Sequence, residues 1–216
     1  MPPQTILFDL DGTLLDSIEL VLNSKRHAFE SRGLPVPSDA DWLRWLGTPL
    51  VDSFAHYTTD AEEIRQFIRA YREYQVVHHD RLVRAYPGAH EALTALRAAG
   101  CPIGIVTSKS VQTASQGLQR VGLLEFADTI IGEDSTQRHK PDPEPVQLGL
   151  HRLQATAAHA MFVGDSIHDM AAGRAAGVTT VAALWGPFTR AELAPAQPTY
   201  YLERLADLPP LVARRA

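Results

Sequence analysis

The 216-residue sequence predicts an α/β fold, a parallel sheet core with an inserted all-helical cap domain. Three observations predict it. A hydrophobic run, ILFDLDGT at residues 6–13, ends in two carboxylates and a glycine. Strand-like runs alternate with helical periodicity after about residue 102, and no strand pattern appears between about residues 14 and 82.

Ile6, Leu7, Phe8 and Leu10 are apolar and β-compatible, so the first run reads as a buried strand interrupted by Asp9 and closed by Asp11 and Gly12. If the strand persists, carboxylates at i and i+2 share a face. Packing two anions there is costly unless a cation neutralises them or a reaction uses them. Residues 14–33 turn helical, with Ser17 as N-cap, Ile18, Val21, Leu22, Ala28 and Phe29 on one face, and Gly33 as the stop. Pro35 and Pro37 precede an Asp- and Trp-rich helical piece at residues 38–50. A longer helix over about 60–79 has Ile64, Phe67, Ile68, Tyr71 and Tyr74 in register. Tyr86, Pro87 and Gly88 mark a break, after which residues 90–100 read as a helix and 102–109 as a buried strand.

From there the alternation is regular: helix 111–121, strand 129–131, helix 144–153, strand 160–163, helix 170–176, strand 178–184. This spacing indicates βαβ units and a Rossmann-like parallel sheet. The first strand belongs with the later ones, which gives a core of residues 1–16 and 83–216. The helical cap of residues 17–82 then leans over the sheet on two short connections.

Composition narrows the function. Lys plus Arg number 20 against 25 Asp plus Glu, and the net charge of −5 offers no overall attraction to polyanions, so no nucleic-acid partner is expected. Cys101, the single cysteine, cannot form an internal disulfide and reads as a core residue in a reducing compartment. The N-terminus shows no basic leader, and no run approaches the ~20 apolar residues of a membrane span. The expectation is a cytoplasmic protein without a membrane partner, either monomer or homodimer.

In an open parallel sheet, ligands bind beyond the carboxyl ends of the strands. The residues closing the strands form a coherent set: Asp9, Asp11, Gly12 and Thr13; Thr107, Ser108 and Lys109; Lys140 in a proline-rich loop; Gly164, Asp165, Ser166 and Asp169. Oxygen donors without His or Cys at ligand spacing favour Mg2+. Magnesium, a lysine and backbone amides near Gly12 would surround a phosphoryl group, and a carboxylate so placed can act as nucleophile. Singly, each piece has a plain structural explanation: a turn, a helix cap, a solvated lysine. Their joint placement at successive strand ends is what points to chemistry.

With those residues assembled, the sequence resembles the haloacid dehalogenase superfamily, specifically its aspartate-nucleophile phosphatases with a helical cap after the first strand. FDLDGT, VTSK, HKPDPEP and GDSIHDMAAGRAAG occur in the family's order, and the similarity runs on through WGPFTRAEL to the Tyr200 region. The resemblance implies that Asp9 attacks phosphorus while Asp11 protonates the leaving oxygen and then activates water. Thr107 and Lys140 would hold the phosphoryl oxygens. Asp9, the backbone carbonyl of Asp11, and Asp165 would bind magnesium, with Asp169 in support. Ser108 and Lys109 are explained equally well by phosphate contact, packing or capping. RWLGTPL resembles the family's specificity loop, where Arg44 would meet a substrate carboxylate or phosphate and Gly47 would let the backbone approach. Trp42, Trp45 and Leu46 at helical spacing also fit a core role, and Arg44 a solvated one. His139 and His168 adjoin site motifs without an assigned role.

The implied function is a magnesium-dependent phosphomonoester hydrolase acting through an aspartyl-phosphate on a small phosphorylated metabolite, with phosphoglycolate the leading substrate. A β-phosphoglucomutase-like sugar phosphomutase and an inorganic pyrophosphatase of the same family are the alternatives. Dehalogenases and phosphonate hydrolases of the family lack an aspartate where this chain has Asp11, which disfavours both. Phosphonate hydrolases also need a cap lysine for a Schiff base, and the candidate, Lys25, has no supporting pattern. Intact Asp9 and Asp11 speak against a noncatalytic binding module.

Overall fold

The computed structural model describes residues 4–214, so the expected core limits at residues 1 and 216 lie outside the described residues. The chain opens with β1 (Thr5–Phe8) and the short β2 (Leu15–Asp16). Four helices follow: α1 (Ile18–Glu30), α2 (Asp39–Leu43), α3 (Leu50–Ala55) and α4 (Ala61–Leu82). β3 (Arg84–Ala85) leads to α5 (Ala89–Ala98), β4 (Ile103–Val106), α6 (Val111–Arg120) and β5 (Thr129–Ile131). The remainder is α7 (Glu144–Arg152), β6 (Ala160–Gly164), α8 (Ile167–Ala175), β7 (Thr179–Ala183), α9 (Arg190–Leu193), β8 (Tyr200–Leu202) and α10 (Leu208–Ala213).

Six strands form a parallel sheet in the order β5-β4-β1-β6-β7-β8, with β1 at its centre. Ile6 of β1 is in register with Ile103 on one side and Met161 on the other. Helices cover both faces. Ile6 and Phe8 pack with Leu93, Leu96, Leu118 and Leu208, while Leu7 packs on the opposite face with Val146, Leu150 and Ala172. A strand buried on both faces has no polar alternation, which is why residues 6–8 read as a continuous apolar run.

The inserted helices have their own aromatic core. Phe29, Trp42, Phe54, Phe67 and Tyr71 are buried together, with the Phe29 and Phe67 rings 4.6 Å apart and Phe54 stacked on Phe67 at 5.1 Å. Two expectations for this region are corrected. Residues 38–50 do not form one helical piece, because the chain breaks between α2 and α3 at Gly47, whose φ of +86° is outside helix geometry. The segment is also not free of strands: Leu15–Asp16 pairs antiparallel with Arg84–Ala85 where the chain enters and leaves the helical region. Two residues per strand are too few to give a readable alternation.

Candidate active site

The loop after β1 positions the first carboxylates. The Asp9 amide donates to the Val163 carbonyl at 2.8 Å, tying Asp9 to β6 although the strand itself ends at Phe8. The chain then turns tightly, with the Leu10 carbonyl accepting from the Leu14 and Leu15 amides at 2.9 and 2.8 Å. Gly12 adopts φ +84°, and a Cβ there would meet Asp165 Cγ at 2.6 Å, so only glycine fits. The Gly12 amide donates to the Leu15 carbonyl at 2.9 Å. This corrects its expected place among the phosphate-binding groups: its amide is spent on the turn, and it contributes close approach instead.

Lys140 lies at the centre of the site, 3% exposed, with Nζ donating at 2.6 Å both to Asp9 Oδ1 and to Asp169 Oδ1. Burial alone would lower its pKa, but Asp169 and Asp9 outweigh burial and hold the ammonium above the ordinary lysine range. Burial pushes Asp9 up to about 7 against the opposing Lys140. Burial, reinforced by Asp9 and Asp169, also holds Asp165 well above the usual carboxylate range. Asp165 Oδ1 accepts from Thr13 Oγ1 at 3.0 Å, while Asp165 Oδ2 is buried with no partner among the described residues. Oxygens of Asp9, Asp165 and Asp169 lie within 4.8 Å of one another. Three buried carboxylates against one lysine, with an orphaned oxygen and an all-oxygen donor set, fit a hard divalent cation.

Asp11 points elsewhere. Its Oδ1 accepts from Ser17 Oγ and pairs with Lys109 Nζ, and its carboxylate is outside the three-carboxylate cluster. The strand ends at Phe8 before either aspartate is reached, so the turn rather than the strand pleat brings both to the cavity. Ser17 holds Asp11 rather than capping α1 with its side chain.

A cavity of about 260 Å³ separates this rim from the helical insertion. Asp9, Asp11, Thr107, Ser108 and Lys109 line its floor, and Lys25, Trp45, Gly47, Ser53, Tyr71 and Gln75 line the helical side.

The family model for haloacid dehalogenase-like hydrolase matches residues 6–183. The chain belongs to that family. Curated relatives of this hydrolase include "Pyrophosphatase PpaX" of Bacillus mycoides, 37% identical over 99% of both chains, and its namesake in Halalkalibacterium halodurans, 37% identical over the full length of both. Among solved structures, a haloacid dehalogenase-like protein from Bacteroides fragilis superposes with a TM-score of 0.89 at 28% identity, covering 95% of this chain and 99% of that one. A protein from Haemophilus somnus described as a predicted phosphoglycolate phosphatase gives a TM-score of 0.85 at 25% identity, with 98% of each chain covered. The hydrolase is thus a phosphatase-type member of its family.

The structure brings Asp9, Lys140, Asp165 and Asp169 into one cluster, and sets Asp11, Thr107 and Ser108 along the adjoining cavity floor. Gly47 reaches the hydrolase core directly: its carbonyl accepts from Ser108 Oγ, and a Cβ there would meet Ser166 Oγ at 3.0 Å. Arg44 corrects an expectation. Its side chain is 75% exposed beside Asp41 and does not line the cavity, because it follows α2 on the outward side while Trp42 turns inward. His139 and His168 also lie outside the cavity lining. Thr13, which the sequence places in the strand-end set without a role, braces the site through Asp165, and Trp185, to which sequence reasoning gave no role, holds it with a 2.8 Å bond from Nε1 to the Thr13 carbonyl. Sequence reasoning also missed the buried polar residues of the helical wall, Ser53 and Gln75, whose only signal was polarity within amphipathic helices.

Proposed function

We propose that the protein is a magnesium-dependent phosphohydrolase working through an aspartyl-phosphate on Asp9. The observation that supports this most is Asp9 Oδ1 held by Lys140 at 2.6 Å beside the unpartnered Asp165 Oδ2. Lys140 fixes one oxygen of a carboxylate that lines the cavity, which orients Asp9 for in-line attack on phosphorus. Asp11 gives a proton to the leaving oxygen and later takes one from water, with Ser17 and Lys109 setting its orientation. Thr107 Oγ1 accepts from the Lys109 amide at 3.2 Å, which leaves its proton for a phosphoryl oxygen. Magnesium held by Asp9, Asp165 and the Asp11 carbonyl, with Asp169 in support, would neutralise charge on the transferring group.

The name of the full-length relatives supports pyrophosphate as substrate and moves it ahead of phosphoglycolate. The likeness to the Haemophilus somnus protein supports phosphoglycolate as the second reading. With magnesium, the protein should release p-nitrophenol from p-nitrophenyl phosphate, lose that activity in EDTA and regain it with excess magnesium. Asp9→Asn should lower turnover by at least about 10³-fold. Full activity in that variant would overturn the assigned nucleophile, and interconversion of sugar phosphates with slow phosphate release would establish mutase chemistry instead.

A further inference from the structure

We infer that the Lys25 ammonium binds a second anionic group on the substrate, a carboxylate or a phosphate lying beyond the phosphoryl group that is cleaved; this rests on the phosphohydrolase reading. Lys25 is on α1, is 3% exposed and lines the cavity opposite Asp9. Its Nζ donates to Ser53 Oγ at 2.7 Å and to the Trp42 carbonyl at 3.4 Å, both neutral oxygens. Among the described residues no carboxylate lies within salt-bridge distance of it, whereas the cavity's other lysine and arginine are matched, Lys109 by Asp11 and Arg72 by Glu133. An ammonium has three donors, and the protein accounts for two.

A buried ammonium without a counter-ion is costly to the fold. Burial lowers Lys25 to about 8, so at neutral pH it is still mostly charged and an anion entering the cavity gains a partner already stripped of water. The largely apolar wall around it carries a few buried polar groups: Ser53 shares the cavity, and Gln75 Nε2 donates to Tyr71 Oη at 2.8 Å. A phosphate ester of a neutral alcohol would satisfy the rim and leave Lys25 unmatched. A substrate with two anionic ends satisfies both walls, and pyrophosphate and phosphoglycolate share that chemistry. A purely structural lysine, tying α1 to α3 through Ser53, makes a different prediction.

The test compares wild type with Lys25→Met, as full chains with magnesium, on pyrophosphate, phosphoglycolate and p-nitrophenyl phosphate. The expected result is a fall of about tenfold or more in the ratio of kcat/KM for the preferred two-anion substrate to that for p-nitrophenyl phosphate, expressed mainly in KM. Lys25→Arg, which keeps the charge, should recover part of the ratio. Loss on pyrophosphate identifies the second group as phosphate, and loss on phosphoglycolate identifies it as carboxylate. An unchanged ratio, whether all three activities fall together or none does, overturns the inference. So does a wild type that cleaves p-nitrophenyl phosphate but neither two-anion substrate. A wild type inert toward all three overturns the phosphohydrolase reading itself, and the Lys25 subsite with it.

Discussion

At the core rim, Lys140 lies between Asp9 and Asp169 and Lys109 meets Asp11, whereas in the helical cap Lys25 is buried against neutral oxygens alone. The rim's charges come from four separate strand-end segments that the sheet draws to one edge, so Lys140 and Lys109 each meet carboxylates from distant parts of the chain. The cap's wall is built from helices packed around an aromatic cluster, and among the described residues no carboxylate lies within salt-bridge distance of Lys25. On the proposed reading the rim acts as a unit on a phosphoryl group, while the cap presents separate contacts whose loss should change which substrate is accepted.

Lys140→Met puts the largest strain on this contrast. It leaves Asp9 and Asp169 facing each other in a buried site, and the expected outcome is a turnover loss of at least about 10²-fold together with about 3 kcal/mol of lost stability. Steady-state kinetics and denaturant unfolding check both; a variant that keeps turnover would show that the rim does not act as a unit. Phe54→Ala tests the cap in the same currency. It opens a cavity beside Phe29 and Phe67 and should cost about 3 kcal/mol, seen as a lower thermal midpoint, while Asp9 and Lys140 keep their contacts. Arg44→Ala should do least, since its side chain is exposed and its pairing with Asp41, at 3.8 Å, is a surface one. A shift in kcat/KM beyond about twofold on any phosphate substrate would mean that Arg44 reaches the cavity after all.

The rim was legible in the sequence because strand ends and turn residues are local signals. β5 falls on the expected residues, and FDLDGT, VTSK and GDSIHDM each end a strand at one edge of the sheet. Ser166 shows how two explanations coexist: it caps α8 by accepting from the Asp169 amide at 3.2 Å, yet Asp169 Oδ1 still reaches Lys140. What was not legible depends on tertiary placement. Tyr200–Leu202 forms the sheet's outer strand β8, but three partly exposed residues at an edge have no alternation to read. Whether one strand face carries both Asp9 and Asp11 was not legible either, because the strand's last residue cannot be fixed from an apolar run. Lys25 reads as an ordinary helical lysine until α3 and α4 close over it, and no periodicity carries that information.

The β2–β3 ribbon carries a consequence for how this molecule could be rebuilt. Leu15–Asp16 and Arg84–Ala85 run side by side, and the Tyr86 amide donates to the Leu14 carbonyl at 3.0 Å, so the helical segment leaves the core and returns to it at adjacent points. To the sheet, everything between them is one closed excursion whose length and content do not alter the register of any strand. The ribbon is thus a natural graft junction: a different helical segment joined at these residues, provided it keeps Ser17 for its bond to Asp11, would meet the same rim of carboxylates and Lys140 under a new roof.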